Sequence, residues 1–258
     1  MSGPVPDAPV RFPLTVQAWE DLTFLHWAYP PEVVQQIVPA GLTAQDDDGV
    51  AWVGVSPFRM ADVRVPGLPP PPRWSAFGEL NVRVYVRGPD GRDGIWFPLL
   101  LAARPTFVAA LRTAGLRYRT AHGEASGDGP VRRYSFLPAT GVPWGSAVTF
   151  DATIDVTHPP DATPRTPLLD SLTGRWGAYH WRAGVLWRTP VAHEPWTLMA
   201  ATAAGELTGP LAAAGLPLPD GAPVVHAAGT VHARLGAPRP VAVRRPGQAA
   251  RRWHLTSG

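Results

Sequence analysis

Proline and glycine break this chain up more than any other feature: 32 Pro and 26 Gly are distributed along 258 residues. Proline removes a backbone donor and glycine frees the backbone to turn, so long helices cannot persist at such spacing. The pattern predicts many short elements joined by tight turns, and the 45% of hydrophobic residues is enough for one core. We read a mainly β (α+β) fold in a single domain, residues 15–243. An N-terminal extension, 1–14, precedes it and a basic C-terminal tail, 244–258, follows.

Local patterns fill in this outline. "DLTFLHWAY" and "VAWVGVSPFRM" read as strands, and "PPEVVQQIVPAGL" between them as a short helix opened by proline and ended by Pro39 and Gly41. "VPGLPPPPRW" cannot join a ladder. "GPDGRDG" has glycines three apart between two strand-like runs, which is a hairpin connection rather than a phosphate loop. "PTFVAALRTAG" and "TPLLDSLTG" are helices with proline at the first position and glycine just past the end. "AVTFDATIDV" alternates cleanly as a strand, the Ala- and Gly-rich stretch after "HEPW" suggests a broken helix, and "VVHAAGTVHARLG" reads as a further strand.

Composition excludes several chemistries. All 23 basic residues are arginine, so no lysine amine is present to form a Schiff base, and the absence of Cys removes thiolate catalysis and Cys-held metal. The eight His are scattered without metal-ligand spacing, and neither G-x-S-x-G, G-x-G-x-x-G nor a Walker loop is present, so no cofactor and no metal is expected. A formal charge of +3 with arginines alternating among apolar residues argues against nucleic acid; "RRPGQAARRW" (244–253) reads as a solvated tail. No apolar run approaches the roughly 20 residues that span a bilayer, and "MSGPVPDAP" lacks a signal-peptide pattern. The expected setting is cytoplasmic, the expected partner a small molecule, and a homo-oligomer is left open.

What remains is polar groups set in apolar strands: His26 in "FLHWAY", Arg59 in "SPFRM", His193 in "HEPW", and Glu79, Asn81 and Arg83 in "SAFGELNVRVYVRG". Glu79, Asn81 and Arg83 share one face of a strand at steps of about 6.6–6.8 Å, close enough to converge on one small molecule. The same alternation also describes a half-solvated sheet on which Glu79 and Arg83 form a modest ion pair. Asn81, the only Asn in the chain, falls on this face.

Five stretches taken together carry a resemblance: "LTFLHWAYPPEVVQQIVPAGL", "AWVGVSPFRM", "GLPPPPRWSAFGELNVRVYVRG", "GAYHWRAGVLWRTPVAHEPW" and "VVHAAGTVHARLGAPRPV". Over about residues 15–243 the chain resembles the uncharacterised bacterial YqjF-like family of the acetoacetate decarboxylase-like superfamily. The resemblance implies an antiparallel curved sheet or barrel enclosing a cavity, with a few short peripheral helices. It also implies that Glu79 is the counterpart of the decarboxylases' cavity glutamate, a candidate acid or base. Where those enzymes carry their lysine this chain has Arg112 and Thr113, and where they carry a helpful arginine it has Glu20. A guanidinium stays protonated and cannot replace the amine nucleophile. The expected function is binding of a small carbonyl or carboxylate compound, with non-covalent acid/base chemistry at Glu79; a non-catalytic sensor or scaffold with a filled cavity is the alternative.

Overall fold

The structure is a computed structural model that describes residue 3 and residues 5–74, 76–128, 130–156 and 165–241. The chain opens with β1 (Thr15–Glu20), β2 (Thr23–Tyr29), α1 (Pro31–Gln35), β3 (Thr43–Ala44), β4 (Ala51–Arg64) and β5 (Ala76–Arg87). There follow β6 (Asp93–Ala102), α2 (Pro105–Thr113), β7 (Tyr118–Thr120), β8 (His122–Asp128), β9 (Val131–Leu137) and β10 (Phe150–Val156). The last part holds α3 (Pro167–Thr173), β11 (Gly177–Arg182), β12 (Val185–Ala192), β13 (Leu198–Glu206), α4 (Gly209–Ala213), β14 (Val224–Ala228), β15 (Val231–Leu235) and β16 (Arg239–Pro240).

The punctuation works as the sequence suggests. All four helices carry proline in their first turn, and the Thr166 hydroxyl accepts a hydrogen bond from the Leu169 amide (3.1 Å) to cap α3. Gly115, at φ +90°, turns the chain out of α2. Gly88 to Arg92 closes the β5–β6 hairpin through the Gly88 amide and the Arg92 carbonyl (2.9 Å). No helix among the described residues is long and apolar enough to cross a membrane.

The strands form one curved sheet, and part of it closes on itself. Neighbours run β5–β6–β11–β12–β15–β1–β4, and β4 pairs back onto β5 from Val53↔Val84 to Ala61↔Ala76. These seven strands therefore make a ring. The opposite edge of β4 is shared: β2 occupies its first half (Leu25↔Val55) and β1 its second (Trp19↔Met60). Between β1 and β2 the backbone breaks at Asp21, φ +50°, and between β14 and β15 it breaks at Gly229 and Thr230. Arg132 spans both breaks, donating to the Leu22 carbonyl (2.7 Å) and the Ala228 carbonyl (3.0 Å). Past them β2, β14, β13, β10, β9 and β8 continue as a second layer.

The two layers bury one face of β5. Leu80, Val82, Val84 and Val86 pack in a cluster with Phe136, Phe150 and Ile154 of the second layer. A separate cluster around Phe58, Met60, Phe77, Leu100, Phe107 and Trp196 fills part of the ring. β6 carries an extra residue: the register passes from Val82↔Leu99 to Val84↔Trp96, so Phe97 and Pro98 both stand opposite Arg83. Pro98 cannot donate to the ladder, and the bulge takes it out of regular register.

Two readings change. The Ala-rich stretch expected to be a broken helix is β13, paired with β10 from Asp151↔Glu206 to Val156↔Ala201, and only α4 after it is helical. Tertiary pairing overrides the helix preference of alanine there. "VVHAAGTVHARLG" is two strands, split at the break described above. The N-terminal segment is fastened to the ring: Asp7 pairs with Arg188 (3.2 Å) and Arg234 donates to the Val10 carbonyl (3.1 Å). The basic stretch 244–253 lies outside the described residues.

Candidate functional site

The ring encloses a cavity of about 170 Å³. Its wall takes alternate residues from paired strands, as a pleated sheet requires: Ser56, Phe58 and Met60 of β4, Glu79, Asn81 and Arg83 of β5, Thr189 and Val191 of β12. The register sets these groups in order. Arg83 lies opposite Gly54, Asn81 opposite Ser56, and Glu79 opposite Phe58.

Glu79 is 3% exposed, and the Tyr118 hydroxyl donates to its Oε1 (3.0 Å) while Oε2 is enclosed without a partner. Burial pushes its carboxyl up to about 8, against hydrogen bonds from Tyr118 and the Asn81 carboxamide. At neutral pH the group is therefore a carboxylic acid able to donate. Burial also pushes the Tyr118 phenol well above its ordinary value.

Arg83 is 7% exposed and forms no salt bridge and no hydrogen bond among the described residues. Its guanidinium carbon lies over the rings of Phe24 (5.1 Å) and Tyr85 (5.5 Å). Nε is enclosed without a partner, and the residue lines the cavity described above. Desolvation lowers its pKa, yet a guanidinium keeps its proton at neutral pH. Arg132, also buried, has two carbonyl acceptors; Arg83 has none, a cost that proteins ordinarily avoid. Gly54 makes this placement possible: a Cβ there would come 2.8 Å from Arg83 Cγ and 3.1 Å from the His26 ring.

His193 sits among Trp176 (4.7 Å), Trp196 (4.6 Å) and Trp19 (5.5 Å). Its Nδ1–H donates to the Glu194 carbonyl (2.6 Å), which leaves Nε2 as an acceptor. Burial pushes its pKa down to about 4, so the ring is neutral at pH 7. Arg175, also on the wall, stacks on Tyr85 (5.0 Å) and reaches Asp93 (3.6 Å).

Of the six residues singled out from sequence, Glu79, Asn81, Arg83 and His193 line the cavity. His26 and Arg59 do not. His26 is buried behind Tyr85, whose hydroxyl lies 2.6 Å from its Nε2, and burial lowers its pKa well below the usual value. Arg59 follows Phe58 on the opposite side of β4 and forms an ion pair with Glu20, both partly exposed. Period two excludes Arg59 from the wall that Phe58 and Met60 occupy. Arg112 also stays off the wall, donating to the Tyr118 carbonyl (2.9 Å) and stacking on Trp144. Sequence reading missed Tyr118, Ser56, Trp19 and Arg175. For Tyr118 a signal existed, since "LRYRT" alternates and sets Tyr118 against Arg117 and Arg119. Among the described residues no group of three or more His, Cys, Asp or Glu is placed to hold a metal.

This fold, a ring of paired strands around a largely apolar cavity with short helices outside, is similar to that of solved acetoacetate decarboxylase-like enzymes. An acetoacetate decarboxylase-like enzyme from Sphingomonas wittichii RW1 superposes with a TM-score of 0.61 at 15% identity, covering 92% of this chain and 96% of that one. Acetoacetate decarboxylase from Legionella pneumophila gives 0.59 at 16%, covering 92% of each. The enduracididine biosynthesis enzyme MppR complexed with pyruvate gives 0.61 at 13%, covering 92% and 94%. The chain belongs to the family DUF2071, described as "Uncharacterized conserved protein (COG2071)", which matches residues 16–232. It is 30% identical over 215 residues to "Uncharacterized protein YqjF" of Bacillus subtilis (strain 168), covering 81% of this chain and 85% of that protein.

Proposed function

We propose that this protein binds a small carbonyl-containing carboxylate inside the ring, with Arg83 holding the carboxylate and Glu79 serving as a non-covalent acid or base. The observation that carries the reading is Arg83, a buried guanidinium on the cavity wall with no anionic partner among the described residues. A carboxylate supplies the missing charge in the bidentate geometry a guanidinium favours. Asn81 Oδ1 and Ser56 Oγ, both without partners, add polar groups next along the wall. The solved MppR complex with pyruvate, a small keto acid, supports the same class of ligand by fold analogy alone.

Glu79, protonated up to about pH 8, can donate to a carbonyl oxygen and take the proton back when the carbonyl re-forms. With no lysine in the chain, no lysine Schiff base forms, so the chemistry open to the site is proton transfer and polarisation.

A thermal-shift screen of keto acids, hydroxy acids and aldehydes, followed by calorimetric titration, tests this reading. A keto acid is expected to raise the melting temperature of the parent protein. Arg83→Met should abolish the shift while itself melting higher, because an unpaired buried charge has been removed. Aldehydes that bind as well as keto acids, or an Arg83→Met protein with full keto-acid affinity, would overturn it.

A further inference from the structure

The ladder register orders the wall from charged to polar to apolar. Arg83 comes first, Asn81 and Ser56 next, then Glu79 beside Phe58, and Met60 beyond, opposite Trp19. Each step along the strand is about 6.6–6.8 Å. Trp19 stands at the more aromatic end, 6.1 Å from Phe58 edge-to-face, 6.1 Å from Trp196 at an interplanar angle of 17° and 5.5 Å from the His193 ring, with its own Nε1 without a partner. Trp196 in turn meets Phe24 (5.4 Å), over which the Arg83 guanidinium lies. Trp19, Phe58 and Trp196 line the cavity, whereas Phe24 is packed behind them in the core.

Size gives a second, independent measure. At about 10–15 Å³ of such volume per water-sized atom, a cavity of about 170 Å³ holds roughly 11 to 17 non-hydrogen atoms. Pyruvate, with about half of the lower figure, would leave the far end empty, with ring surface of Phe58 and Trp19 unmatched.

Resting on the function proposed above, we infer that the natural ligand is a carboxylic acid carrying an aromatic or comparably flat apolar group, its carboxylate at Arg83 and its ring against Phe58 and Trp19. The carbonyl then falls in the middle of the cavity, within the stretch of wall formed by Asn81, Ser56 and Glu79. Apolar contact in the far half supplies affinity, and the polar half fixes orientation.

The test compares phenylpyruvate with pyruvate by titration calorimetry on the full chain. Phenylpyruvate should bind at least about tenfold more tightly than pyruvate, since burying a ring is worth more than that factor when the fit is good. Trp19→Leu should lower the phenylpyruvate affinity and leave pyruvate unchanged, collapsing the ratio toward one. Should that variant fail to fold, Phe58→Leu reads the same ratio. Arg83→Met should lose both ligands. Equal affinity for the two acids with Arg83 still required would overturn this inference and leave the carboxylate reading standing. Binding of neither acid would overturn both. A preference for phenylpyruvate that survives both Trp19→Leu and Phe58→Leu would also overturn it.

Discussion

The two faces of β5 are both buried but carry opposite chemistry. Leu80, Val82, Val84 and Val86 are fully enclosed between the layers, with no polar atom to satisfy. On the other face Glu79, Asn81 and Arg83 are 3%, 8% and 7% exposed, and each keeps a polar atom without a partner. The first face contributes stability through apolar burial; the second gives some of it up. Such a loss, concentrated on one side of one strand around a cavity, is the pattern expected of a site whose polar groups are completed by a ligand.

The contrast is sharpest in the pH dependence. The folded Glu79 carboxyl holds its proton to about pH 8, whereas an exposed one releases it near 4.5, so between these values the unfolded chain binds fewer protons. Stability contributed by this group is therefore complete below about pH 4.5 and is lost as pH rises to about 8. Neutral His193 acts in the other direction, because the unfolded ring takes up a proton near 6.5 and the folded one only near 4, so stability falls as pH drops through that window. Glu79→Gln should remove the alkaline limb and stabilise the protein on the order of 4 kcal/mol at pH 8, read from urea unfolding across pH. An unchanged pH profile would show that Glu79 is ionised in the folded state.

Leu80→Ala on the opposite face should cost about 3 kcal/mol at every pH, through lost contacts and the cavity left behind. A cost below about 1 kcal/mol would mean that the layers do not meet there as described. Gly54→Ala should cost only about 1 kcal/mol, as the new Cβ displaces the Arg83 stem, yet it should weaken keto-acid binding together with Arg83→Met. If titration shows full affinity in Gly54→Ala, Arg83 does not need its present position. Smallest of all, Arg59→Ala should change stability by less than about 0.5 kcal/mol and leave binding intact, because its pair with Glu20 is partly exposed and off the wall.

Much of the ring could be read from the chain. Proline and glycine located the helix starts and the hairpin at Gly88–Arg92, and alternation set Glu79, Asn81 and Arg83 on one face. His26 and Arg59 looked like the same kind of candidate, polar residues among apolar strand neighbours. They differ only in what lies across from them: Tyr85 in front of His26, and Glu20 beside Arg59 on the far side of β4. Tyr118 and Trp19 reach the same cavity from strands well separated in sequence from β5, and no local pattern joins them to Glu79.

By itself the sequence determined the short elements, the period-two faces and, through the absence of lysine, the chemistry that cannot occur. It could not decide whether the polar face of β5 meets water or a cavity, because alternation is identical in the two cases. Closure of the ring by β4 pairing onto β5 decided that. Once the strands surround a cavity, burial pushes the Glu79 carboxyl up to about 8, and Arg83 has no counter-ion among the described residues.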